Sequence, residues 1–234
     1  AQLDTVEEPA DEAAPVVVAM PIAYTAVQGD FSFALEIEDD SEIAEILVLL
    51  DGEEVGNLDL ADLSIDTTSW PWGVHQVAFT VADEFENTVT TEEIPLMCAG
   101  PGLFLSYLDG WPEGDIPGWG YFSVFVPEGA TSVYDSKAHV QVPANAMKAV
   151  AFLKWSQDVS WHFGFDIGTG SCPDSGTLLA ESELEGAQGV LEVSYEDGGK
   201  AIPEGGWFAH VRYLDGGDHD GETLHLDSIF LLLP

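Results

Sequence analysis

The sequence predicts an all-β protein built as two β-sandwich domains, and three observations predict it. Apolar residues alternate with polar ones over short runs, the period of a half-buried strand. Gly, Pro and dipeptides such as Asp51-Gly52 and Glu86-Asn87 punctuate those runs. No stretch combines helical periodicity with capping residues. The division in two follows from charge. Residues 1–97 hold 23 acidic residues and no Lys or Arg, whereas all five cations (Lys137, Lys148, Lys154, Lys200, Arg212) lie in residues 98–234. The border falls near Cys98.

The elements follow in order. Residues 1–14, AQLDTVEEPADEAA, are an acidic arm of low hydrophobicity without periodicity. An arm of this kind becomes ordered only by docking on something, which points to assembly. Residues 15–97 form the first sandwich. Val16 to Val18 is a strand. Phe31, Phe33, Leu35 and Ile37 alternate with polar or small residues in a second. Ile46 to Leu50 ends at the Asp51-Gly52 hairpin turn, and Val55 to Leu60 returns. Trp70-Pro71-Trp72-Gly73 breaks the chain. Val77, Phe79 and Val81 alternate again, and Thr88 to Ile94 is β-branched.

These residues carry a family resemblance. The order Pro15-Val-Val-Val, Gly29-Asp-Phe-Ser-Phe-Ala-Leu-Glu-Ile-Glu-Asp-Asp, Ile46-Leu-Val-Leu-Leu-Asp-Gly-Glu, Asp66-Thr-Thr, Gly73-Val-His-Gln-Val-Ala-Phe-Thr-Val-Ala-Asp and Asn87-Thr-Val resembles a bacterial immunoglobulin-like domain. The likeness spans nearly all of residues 15–97. It departs in charge, because this copy has no Lys or Arg. The resemblance implies a sandwich used for spacing, adhesion or assembly, with no catalytic residues.

Residues 98–234 read as a larger sandwich or jelly roll. Nine runs between Leu103 and Leu233 are strand candidates, separated by Gly and Pro clusters. The succession Val142-Pro143, Phe152-Leu-Lys-Trp, Gly164-Phe-Asp-Ile-Gly, Gly189-Val-Leu-Glu-Val and Pro203-Glu-Gly-Gly-Trp-Phe-Ala-His-Val resembles a bacterial pre-peptidase C-terminal type sandwich. That resemblance implies an accessory module of an exported protein.

Charge bounds the function. With 43 Asp+Glu against 5 Lys+Arg in 234 residues, the net charge is −38. A surface so acidic excludes nucleic acid and anionic membrane as partners, since both need a basic footprint. No apolar run reaches the ~18–20 residues of a membrane-spanning helix. Ion pairs cannot neutralise such a chain, so screening salt or bound cations must. That composition suits a halophilic habitat, or a merely soluble exported protein. The cysteines are two, Cys98 and Cys172. In an exported chain a single pair reads as a disulfide, closing a loop worth roughly 4 kcal/mol in the entropic model; free thiols are the alternative. Residue 1 is Ala rather than Met and no signal peptide is present, which is expected of a processed, exported chain and equally of a chain cut at that point for another reason.

Four clusters are candidates for chemistry. Asp215, Asp218, Asp220 and Glu222 lie on a Gly-rich loop, and calcium takes six to eight hard oxygens of that kind. The spacing is not that of an EF-hand, and a solvated acidic loop explains it equally. His219 and His225 lie beside these carboxylates. Asp39-Asp40 with Glu42, and Asp83-Glu84 with Glu86, make two further acidic turns. Trp111 and Trp119, flanked by Asp109 and Asp115, could stack on sugar rings, anchor an interface, or simply pack. No Gly-x-Ser-x-Gly elbow, His-Glu-x-x-His, phosphate loop or dinucleotide fingerprint is present.

The expectation is a non-enzymatic extracellular structural protein, a cell-surface or filament-associated subunit. It would interact through its sandwich edges and acidic arm, with itself or with another extracellular protein. A carbohydrate-binding accessory module and a calcium-stabilised adhesin are the alternatives. Calcium is the one cofactor expected.

Overall fold

The computed structural model describes residues 12–105, 116–126, 136–171, 175–215, 219 and 221–234. Among them are strands and turns and no helix, so the protein is all-β. The chain divides into two compact units, Ala1–Gly100 and Pro101–Pro234.

The described residues of the first unit form ten strands. They are β1 (Val16–Ala19), β2 (Ala26–Val27), β3 (Asp30–Ser32), β4 (Glu36–Glu38), β5 (Ile43–Leu50), β6 (Glu53–Leu58), β7 (Ser64–Asp66), β8 (Gly73–Asp83), β9 (Thr88–Thr90) and β10 (Ile94–Cys98). One sheet has the order β2-β10-β8-β5-β6, with β9 also on β8; β1-β4 and β3-β7 form two further ladders. The β2–β10 pairing is parallel and the rest antiparallel. The alternation of Val77, Phe79 and Val81 does what it predicts, since all three are fully buried. Asp51 and Gly52 turn with φ of 50° and 81°, the left-handed pair of a type I′ hairpin. The run Phe31–Ile37 is not one strand but two, β3 and β4. Between them the chain turns aside, with Phe33 N–H donating to Leu63 and Leu35 N–H back to Phe33. That turn drives Phe33 into the core, edge-on to Phe79 at 5.1 Å and stacked on Trp70 at 6.4 Å.

The second unit holds β11 (Leu103–Leu105), β12 (Gly120–Phe125), β13 (Ser136–Val142), β14 (Lys148–Thr169), β15 (Thr177–Glu196), β16 (Gly205–Tyr213) and β17 (Thr223–Leu233). The order is β11-β17-β14-β16-β13, with β12 on β17 and β15 on β14. The sequence suggests nine strands where the described residues form seven. Two pairs of expected strands fuse into the long β14–β15 hairpin. The polar residues between them make a bulge, with Ser156 opposite Gln188 and Trp161 opposite Gly186, rather than a turn. Before the bulge β14 pairs with β17, and after it with β16. Alternate residues of β14 (Ala149, Ala151, Leu153, Trp155, then Trp161, Phe163, Phe165, Ile167) join the core.

Candidate functional site

The first unit carries a groove of about 440 Å3 between β1 and the segment joining β9 to β10. Pro15, Val16, Val17 and Met20 line one wall, and Val89, Thr91, Glu92 and Ile94 the other. Its floor is the edge of the core, because Val17, Met20, Val89 and Ile94 pack against the buried cluster while only partly covered themselves. Val16 and Val18 stay 56% and 47% exposed. Among the described residues β1 pairs with β4 alone and β9 with β8 alone. Among the described residues each therefore has its other side unpaired by any strand, a row of backbone N–H and C=O groups of the kind that can pair.

At one end of this unit Glu84 N–H donates to the Glu42 carbonyl, 2.9 Å away, so the two acidic turns meet. Within them, Asp39 Oδ1 accepts from Ser41 N–H, and Asp83 binds the Phe85 and Asn87 amides. Their carboxylates hold the turns' own backbone. On the turn between β5 and β6, Asp51 accepts from Gln76 N–H at 2.9 Å and lies 2.7 Å from His75 Nδ1. The His75 hydrogen bond, then that of Gln76, holds the Asp51 carboxyl below the usual range.

In the second unit the face of β14–β16 opposite the core carries an ionic network. Gly164, Asp166 and Gly168 of β14 lie across from Arg212, His210 and Phe208 of β16. Arg212 binds Asp166 through Nε at 2.8 Å and Nη2 at 2.9 Å, a bidentate pair. Its Nη1 reaches Glu183 at 3.1 Å and its Nη2 Glu181 at 3.4 Å, both on β15. His210 Nδ1 lies 3.2 Å from Asp166 Oδ2. Burial pulls the Arg212 guanidinium down, but the hydrogen bonds and charge of Asp166, then of Glu183, outweigh it and hold it above its usual range. The sequence's only Arg thus ties three strands together. The reading from sequence missed this network; its signal is the polar alternation His162-x-Gly164-x-Asp166 facing Phe208-x-His210-x-Arg212.

The expected calcium loop is described only in part, since Asp218 and Asp220 lie outside the described residues. Asp215 Oδ2 accepts from the His162 amide at 2.6 Å, and Glu222 lies 3.2 Å from His219 Nδ1. His219 itself is buried, stacked on Trp161 at 3.9 Å, with Nε2 2.9 Å from the Ser160 carbonyl. Among the described residues no three His, Cys, Asp or Glu are grouped to hold a metal.

Two expectations are corrected. Cys98 is a free thiol, not half of a disulfide. It is fully buried in the first unit's core, on a strand held between β2 and β8. Burial, with the Asp51 charge adding to it, pushes that thiol up to about 12. Cys172 lies outside the described residues. Trp119 is no exposed platform either: it is fully buried, 6.5 Å from the Phe152 ring. Its large apolar ring gains more by packing than by facing water. Trp111, Asp109 and Asp115 lie outside the described residues, as do residues 1–11 of the acidic arm.

The fold defines an all-β protein of sandwich type. No protein-family model matches the chain, and no curated protein does. Among solved structures it is similar to carbohydrate-binding modules of the β-sandwich superfamily, at 11% identity over 96% of this chain and 100% of that one, with a TM-score of 0.35. It is also similar to the M60 catalytic domain with CBM51 domains of Clostridium perfringens ZmpB, at 11% identity, 97% and 32% coverage and a TM-score of 0.32. Dimeric latent PorU of Porphyromonas gingivalis matches at 15% identity, 92% and 20% coverage and a TM-score of 0.28. These TM-scores are low, and the architecture rests on the strand pairing itself.

Proposed function

We propose that the chain is a non-catalytic extracellular structural protein whose first unit is an immunoglobulin-like module that takes up an extended strand from a neighbour. The observation that carries this reading is the apolar groove between β1 and the β9–β10 segment, bordered by two strand edges that no other strand among the described residues pairs. A strand laid there would hydrogen-bond to an edge and bury alternate side chains on Val17, Met20, Val89 and Ile94, the arrangement of strand addition. The immunoglobulin-like reading is supported by the order β2-β10-β8-β5-β6, whose buried side chains share one cluster with Val17, Ile37, Phe31 and Ile65 of the β1-β4 and β3-β7 ladders.

The test is titration of a fluorescently labelled neutral strand peptide, STVTVTVS, with the full chain. The reading expects saturable binding that is weakened by Val16→Asp, a change at an exposed groove wall. Absence of binding by any strand peptide contradicts it.

A further inference from the structure

We infer, resting on that strand-docking reading, that the groove's occupant is a segment of a different protein, apolar at alternate positions and flanked by Lys or Arg. Three observations lead there.

The first is charge. Glu92 lines the groove and Glu93 follows it, while Glu36 and Glu38 of β4 stand exposed beside β1. No Lys or Arg occurs anywhere in residues 1–97 to answer them. A strand entering the groove brings its ends beside these carboxylates, and cationic ends are attracted there while acidic ends are repelled.

The second is the exclusion of nearer occupants. The chain's own residues 1–14 carry Asp4, Glu7, Glu8, Asp11 and Glu12 and no cation. A second copy brings a net charge of −38 to an identical surface. Charge opposes both.

The third is the edge itself. Exposed edges are ordinarily blunted by Lys on the strand or by a bulge that twists it away. β1 is short and has a register shift between Val17 and Ala19, but it carries no Lys and presents Val16 and Val18 to solvent, so no cation on the strand guards it. Acidity around the groove is what keeps unsuitable strands off, so selection is by the partner's charge.

The experiment compares three labelled peptides on the full chain at an ionic strength of about 0.15 M and again at about 1 M, where screening is nearly complete. They are KTVTVTVK, the neutral STVTVTVS and the flexible cationic KGSGSGSK. The inference expects KTVTVTVK to bind about tenfold more tightly than STVTVTVS at the lower salt, the worth of two rim ion pairs. That advantage should shrink at the higher salt. Glu92→Lys should remove most of the advantage while leaving the far-ultraviolet circular dichroism and melting temperature unchanged. Equal affinity for KTVTVTVK and STVTVTVS overturns the cationic partner and leaves strand docking standing. Binding of KGSGSGSK as tight as that of KTVTVTVK overturns both, since bare charge then suffices. Binding of none of the three overturns both as well.

Discussion

Gly164 makes the room that the Arg212 guanidinium occupies: a Cβ placed at Gly164 would lie 2.7 Å from Arg212 Cζ. The guanidinium lies against the bare backbone of β14 and binds Asp166 two residues along. A methyl group at position 164 must push it away. Gly164→Ala is therefore expected to destabilise the protein by about 1–2 kcal/mol through overpacking. Arg212→Ala leaves the Asp166 carboxylate, whose side chain is 6% exposed, with one partner fewer, and should lose about 3–5 kcal/mol. In the double variant the Gly164→Ala penalty should vanish, because the group it displaces is gone. Urea denaturation of the four proteins measures this, and strict additivity would mean that the two residues do not interact.

Two buried tryptophans differ by one hydrogen bond. Trp155 Nε1 donates to the Gly186 carbonyl at 3.0 Å. Trp161 Nε1 is buried with no acceptor among the described residues. Replacing each by Phe removes similar ring area, but only Trp155→Phe gives up a made bond and leaves a carbonyl behind. Trp155→Phe should therefore be the more destabilising by about 1 kcal/mol, read from chemical denaturation. A larger loss at Trp161 would contradict the assignment.

The buried Cys98 thiol is expected to resist iodoacetamide at pH 8 in the folded protein and to react once urea unfolds it, as mass spectrometry of the alkylated peptide reports. The linkage has a defined sign. A thiol held near 12 when folded, against about 8.5 when unfolded, keeps its proton longer in the folded chain. Its contribution to stability is complete below about pH 8.5 and is lost as pH rises toward 12. Cys98→Ala should flatten that alkaline decline.

At the acid end, Asp51 works in the opposite direction. Its folded carboxyl is held low by His75 and by the Gln76 amide, so its contribution is present above the ordinary carboxylate range, about 3.9. It is lost as pH falls through the lower folded value. Asp51→Asn should lower the melting temperature at neutral pH and narrow the gap to wild type below pH 4. An unchanged gap across that range would mean that the pair is not formed.

Sequence reading reached the strand content because the core is written in period two: Val77, Phe79 and Val81 alternate in the sequence and are buried in the fold. It split β14 and β15 wrongly because a bulge and a turn use the same polar and glycine residues, and only the partner strand's register distinguishes them. The Cys98–Cys172 pairing rested on there being two cysteines, and composition says nothing of how deeply Cys98 sits. For Trp119 the sequence leaves stacking, anchoring and packing open, because acidic and Gly-rich surroundings describe the segment's polarity and not the direction in which one ring turns; the fold selects packing. The groove was half legible. Val16 to Val18 reads as an apolar strand, but its distance from Val89 and Ile94 is set by how the ladders close around the core, which is long-range information.

The central claim, that the first unit takes up a strand between β1 and β9, is tested most directly by hydrogen–deuterium exchange of the full chain with and without saturating KTVTVTVK. New protection confined to the amides of Val16–Ala19 and Thr88–Ile94 is the expected result. Unchanged exchange in those two segments, or protection that falls elsewhere, would contradict it.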